Sequence, residues 1–153
     1  MESRIARFLL LLISALVLLG FTVGGYALVA STEPTPRDGV FIHISHGPEH
    51  AHRVLMGLRM ATVMAEDKDV LVYFDISGVN AVLKESEDIE HTVFESSQTQ
   101  IKNLIAKGVT VFVCPSCLKA SKKSSADVMD GVKSAERETF LSFTQGRILS
   151  IDY

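Results

Sequence analysis

Cysteine is nearly absent from this chain of 153 residues, and tryptophan is wholly absent. The two cysteines, Cys114 and Cys117, are too few for a disulfide framework. Prolines number four, and none follows Pro115. There is no excess of positive charge either. The formal net charge is −3, which leaves no basic field for nucleic acid. Internal repeats and low-complexity tracts are missing.

Charge is also missing from one whole stretch, Phe8 to Ser31. The apolar part of it, Phe8–Ala30, lies behind Arg4 and Arg7. It is long enough for a spanning helix, which needs about 20 such residues. A cleaved signal peptide is the competing reading, with Phe8–Leu19 as its apolar heart and cleavage after Ala27 or Ser31. No cysteine lies near the end of the run, so a lipid-modified N-terminus is excluded. On either reading Arg4 and Arg7 stay on the cytoplasmic side and the rest is exported. The expected protein is thus single-pass in the cell membrane, with its C-terminal domain outside the cytoplasm, in the periplasm. With cleavage it becomes periplasmic or secreted. The domain plan is residues 1–31 as anchor or signal, 32–37 as a linker containing Pro34 and Pro36, and 38–153 as the soluble domain.

What the soluble part contains is an alternation of apolar strands and amphipathic helices. Val40–Ser45 reads as a buried strand, closed by His46-Gly47-Pro48. Pro48 suits the first turn of a helix, which runs from Glu49 to about Ala65 with Val54, Leu55, Leu58, Met60, Ala61 and Met64 on its buried face. Val70–Phe74 is a second strand, leading through Asp75 to a short helix at Val79, Val82 and Leu83. Glu85–Glu90 is an acidic loop. Glu95–Lys107 is a helix with Gly108 placed to cap its C-terminus. Val109–Val113 is the third strand, Glu136–Phe143 a last helix, and Ile148–Ile151 a final strand. A fifth strand is sought between Ile89 and Phe94. Continuous apolar strands alternating with helices predict an α/β fold, a three-layer, doubly wound parallel sheet with helices on both faces.

The third strand ends in Cys114-Pro115-Ser116-Cys117. A C-x-x-C at a strand end, continuing into a helix, presents a sulfur pair where backbone amides stabilise a thiolate, the reactive form. Lys119, Lys122 and Lys123 follow closely, either adding positive potential there or forming a solvated surface. In an open parallel sheet, reactive groups gather at the carboxyl ends of strands, where the strand order reverses. If the first and third strands are neighbours, Ser45–His50 and the cysteines share one edge. His46 is then a candidate proton donor or thiolate partner, and Asp75 a candidate site residue or a cap for the following helix. His43, inside a strand, and His91, in the acidic loop, attract no role. His46, His50 and His52 with the thiols offer a zinc alternative, but their spacing is irregular and no metal or cofactor is expected. A thioredoxin fold is rejected. It places C-x-x-C after its first main strand and needs a later proline facing the pair.

Taken together, these residues resemble the DsrE/DsrF-like family of sulfur-relay proteins. The resemblance runs over Asp38–Tyr153. It is carried by Ser45-His46-Gly47-Pro48 with its long helix, by Val70–Phe74 leading into Gly78-Val79, and by Val111-Phe112-Val113-Cys114 leading into Cys117-Leu118-Lys119-Ala120. Asp130-Gly131-Val132 and Arg147–Ile151 complete it. The resemblance implies that Cys114 accepts sulfur as a persulfide, with Cys117 as second thiol, and that the domains associate as homotrimers or homohexamers. Two departures stand out. Ser121-Lys122-Lys123 replaces the usual glycine after the cysteine helix, and well-known relay members lack an export segment. Three functions follow: a membrane-tethered persulfide carrier, an exported thiol–disulfide redox protein, or a non-catalytic ligand-binding or assembly module.

Overall fold

In the first strand, β1 (Gly39–Ile44), Val40, Ile42 and Ile44 are buried while Phe41 and His43 between them are only partly so. That alternation is the pleat: successive side chains leave on opposite faces. A computed structural model describes residues 35–153 of the chain, so the expected membrane or signal segment lies outside the described residues. Among those described, no helix is long and apolar enough to cross a membrane.

A 3₁₀ turn at Pro48–His50 leads into helix α1 (Ala51–Met64). Strand β2 (Asp69–Phe74) follows, then a 3₁₀ segment, Ile76–Val82, and helix α2 (Ser97–Ala106). Strand β3 (Thr110–Val113) ends at the cysteines, which open helix α3 (Pro115–Ala120). Strand β4 (Lys133–Ser134), helix α4 (Arg137–Phe140) and strand β5 (Ile148–Asp152) finish the chain. The five strands form one parallel sheet in the order β4-β3-β2-β1-β5.

Stepwise right-handed crossovers from β1 to β2 to β3 put α1 and α2 on the same face. There Val54, Leu55, Leu58, Ala61, Ile101 and Leu104 close over Val40, Ile42, Ile44, Val72, Phe74, Val111 and Val113, which are nearly all inaccessible. Each such side chain contributes about 1.5–3 kcal/mol by leaving water. Met60 and Met64, expected in that face, only flank it.

The opposite face is thinner than the expected three layers. The return from β4 to β5 crosses it, and the helix there is a single turn, Arg137–Phe140, instead of Glu136–Phe143. The Thr139 hydroxyl donates to the Glu136 carbonyl and the Ser142 hydroxyl to the Thr139 carbonyl, competing with helical bonding. Phe140 nevertheless covers part of the face, its ring lying 5.5 Å from Phe41, 4.9 Å from Tyr73 and 6.2 Å from Phe112.

The fifth strand is not at Ile89–Phe94, where only an isolated His91–Phe94 bridge forms. It is Lys133–Ser134, two polar residues on the edge beside β3 with no apolar run to reveal them. Nor are β1 and β3 neighbours, since β2 lies between them. The cysteines therefore meet the end of β2 first, one strand away from the β1–β5 boundary where the order reverses.

Two helix ends share one geometry. After α2, Gly108 (φ 83°) and Val109 donate to Ile105 and Leu104, the paired bonds of a Schellman cap. After α3, Lys122 and Lys123 make the same bonds to Lys119 and Leu118, and here Lys122 holds φ 58°. Lys122 thus fills a left-handed position that glycine would hold without steric cost.

Candidate functional site: a thiol pair at the sheet's carboxyl end

The Cys114 backbone N–H donates to the Phe74 carbonyl at 2.8 Å, continuing the β2–β3 ladder one step past the strand. Cys114 therefore keeps the strand's alternation and its side chain leaves on the face of Phe112 and Tyr73, away from the main core. Pro115 supplies the first residue of α3 and no N–H. The Cys117 N–H then reaches back to the Cys114 sulfur at 3.3 Å, so the cysteine caps its own helix.

Both thiols are free and partly buried. Cys117 is among the residues packed against the main core, and polar surroundings distinguish the two thiols further. Burial disfavours the Cys114 thiolate, but the neighbouring Tyr73 hydroxyl, the Cys117 thiol and the N–H groups of Cys117 and Ser116 favour it, and the balance holds its pKa below the ordinary thiol value. For Cys117 the balance runs the other way. Burial, the neighbouring Cys114 sulfur and the charge of Asp75 raise its pKa, opposed by the Ile76 N–H. Tyr73 is pushed well above the usual phenol value by burial first and then by the neighbouring Cys114, so its hydroxyl keeps its proton.

Asp75 follows β2 directly. Its side chain makes no capping bond to the 3₁₀ segment. It accepts instead from His43 Nε2 at 2.8 Å, while Asp152 Oδ1 takes His43 Nδ1 at 2.7 Å. A carboxylate at each ring nitrogen favours the protonated imidazole. Partial burial works against this, but the two hydrogen bonds outweigh it and raise the His43 pKa. Parallel register places His43 beside Tyr73 on one side and Asp152 on the other, all on one face. The His43 and Tyr73 rings stack with centroids 5.9 Å apart.

Of the expected residues, Cys114, Cys117 and Asp75 come together. His46 does not join them; it lies 3.4 Å from the Ser45 hydroxyl and edge-on to His50, at 4.7 Å. No group of three or more metal-ligating side chains occurs among the described residues. Lys123 is paired with Glu85 and does not lend its charge to the thiols. The residues missed are Tyr73, His43, Asp152 and Ile76. A signal for two of them was present: His43 and Tyr73 are the polar interruptions in otherwise apolar strands, at the same register height. Ile76 is less legible. It holds φ 46°, rare for a β-branched residue, while its N–H faces Cys117 and the residue is 65 % exposed.

A family profile described as DsrE/DsrF-like matches residues 38–145. No curated protein matches the chain. Two solved structures share the fold. One is a protein of unknown function, MTH1491, from Methanobacterium thermoautotrophicum, with 21 % identity and TM-score 0.55, covering 75 % of this chain and 99 % of its own. The other is the ychN protein from E. coli, with 18 % identity and TM-score 0.59, covering 75 % and 98 %. At such identities the likeness is one of fold.

Proposed function

We propose, from the premise that the chain belongs to the DsrE/DsrF-like family, that it is a sulfur carrier in which Cys114 bears the persulfide and Cys117 resolves it. The observation that carries this reading is the Cys117 N–H bonded to the Cys114 sulfur at 3.3 Å, with the Tyr73 hydroxyl, the Cys117 thiol and the Ser116 N–H nearby on the side that favours a thiolate. They favour a thiolate at Cys114 and leave the proton on Cys117.

In the loading step the Cys114 thiolate attacks the outer sulfur of a donor persulfide. A new S–S bond forms on Cys114, the donor's S–S bond breaks, and the donor leaves as a thiolate; no net oxidation occurs. In delivery an acceptor thiolate attacks that outer sulfur and Cys114 departs as thiolate, stabilised again by Tyr73. If Cys117 attacks the inner sulfur instead, hydrosulfide leaves and a Cys114–Cys117 disulfide forms. A dithiol reductant must then supply two electrons to restore the pair. Such closure is favoured by the existing Cys117-to-Cys114 contact, which also supports the second reading, an exported thiol–disulfide protein.

The uncharged Phe8–Ala30 run behind Arg4 and Arg7 supports a tethered domain outside the cytoplasm, or a periplasmic one after cleavage. Self-association as a homotrimer or homohexamer is part of the same reading. Exposed Leu141, Ile148 and Leu149 beside the thin face of the sheet are consistent with it.

Persulfide-selective capture after exposure to a small persulfide tests the roles. Cys114→Ser should abolish capture, and Cys117→Ser should keep it and prolong its lifetime. Sulfur held equally well by Cys114→Ser rejects the assignment.

A further inference from the structure

The site contains one imidazole, bracketed by two carboxylates, that the sulfur chemistry above does not use. His43 projects from β1 on the face shared with Tyr73 and Asp152. We infer that His43 is a positioning residue of the thiol site: held between Asp75 and Asp152, it cancels the Asp75 charge facing the sulfurs and so keeps the Cys114 thiolate available near neutral pH. This rests on the reading that Cys114 is the working thiol.

The charged groups facing His43 are Asp75, at the end of β2, and Asp152, on β5. The rings of Phe41 and Tyr73 flank it, and Phe140 from α4 covers Tyr73 without adding charge. The two carboxylates are not equivalent. Asp152 is 71 % exposed, so solvent and salt screen it, whereas Asp75 is 19 % exposed. Asp75 also lies close enough to act on Tyr73 and Cys117, the two side chains beside the Cys114 sulfur. An uncompensated Asp75 therefore sets a negative potential where a second negative charge must form. Paired with the imidazolium, it presents a nearly neutral unit. A dipole so placed is felt more strongly here than in water, because the effective dielectric is lower.

A simple strand-tying ion pair would leave thiol reactivity alone. The positioning role predicts a shift whose sign depends on which partner is removed. The experiment is alkylation of the full-length chain by iodoacetamide across a pH series, read by mass spectrometry on the Cys114 peptide. His43→Gln should raise the Cys114 midpoint and slow alkylation at neutral pH by roughly threefold to tenfold. Adding Asp75→Asn to that variant should return the rate toward wild type, since the unpaired charge is gone. An unchanged midpoint in His43→Gln, or no recovery in the double variant, overturns the inference.

Wild-type protein supplies a check that needs no variant. The climb of Cys114 reactivity with pH should flatten over the interval in which the His43 ring titrates by NMR. A single-proton curve indifferent to that titration also overturns the inference. Sulfur uptake by wild-type Cys114 is measured alongside. Its failure rejects the carrier reading and leaves the charge relationship standing, and the reverse result separates the two in the other direction.

Discussion

The Tyr73 hydroxyl lies beside the sulfur of Cys114 and favours its thiolate, from the neighbouring strand and from the same face of the sheet. Its place is fixed by a register, Tyr73 opposite Phe112, that the apolar core on the other face enforces. Slipping that register by one residue would turn every buried side chain outward. Thiol chemistry and fold are thus coupled through one tyrosine.

Removal of that hydroxyl should raise the Cys114 pKa. Hydrogen bonds to charged groups contribute about 1.5–3 kcal/mol, so Tyr73→Phe should slow Cys114 alkylation at neutral pH by roughly tenfold or more. Cys117 alkylation should change little. The ring and its contact with Phe140 remain, so the unfolding midpoint should stay close to wild type. Equal slowing of both thiols would point to general loosening instead.

Stability should depend on pH through His43. Its folded pKa is raised above the ordinary 6.5 by Asp75 and Asp152, which outweigh its partial burial. The folded state therefore binds the proton more tightly than the unfolded chain does. That contribution is complete below about pH 6.5 and fades as pH rises through the higher folded value. Denaturant titrations over this window should show a decline that His43→Gln lacks.

Lys122 should be improvable. It holds φ 58° in a Schellman cap with its backbone bonds already made. Left-handed geometry costs an L-residue about 1–2 kcal/mol, less the extra chain entropy glycine brings. Lys122→Gly should stabilise by about 1 kcal/mol, seen as a higher thermal midpoint. Gly108→Ala, at the matching position after α2, should lose a similar amount.

Gly78 works in the opposite sense. Its N–H donates to the carbonyls of Asp75, at 2.7 Å, and Ser45, at 3.2 Å, holding the 3₁₀ segment against the end of β1. A Cβ there would fall on the Ile44 carbonyl oxygen. Gly78→Ala should destabilise by about 1–3 kcal/mol or more, and it should disturb thiol reactivity by displacing Ile76.

Much of this was legible in the residues. The strand cores are β-branched and apolar, so β1, β2, β3 and β5 could be placed from pattern alone. The cysteine turn could be placed because a strand, a Pro at the first helical position and a helix follow one another. β4 could not, since its two residues pair by backbone bonds that leave no side-chain signature. The length of α4 was overestimated because its threonine and serine hydroxyls bond to the backbone. Within the site, His46 drew attention as the histidine nearest a turn. The register instead selects His43, a residue whose surroundings only the strand order β2-β1-β5 defines. Tyr73 was hidden in the same way, since its relation to Cys114 depends on β2 lying between β1 and β3.

The most direct measurement is the intact mass of the reduced protein after exposure to a small-molecule persulfide, followed by peptide mapping. The account predicts a gain of one sulfur atom, carried on the Cys114 peptide and removed by a thiol acceptor. A product with only the Cys114–Cys117 disulfide would leave the redox protein as the better description. Added sulfur on Cys117 with Cys114 untouched would contradict the account outright.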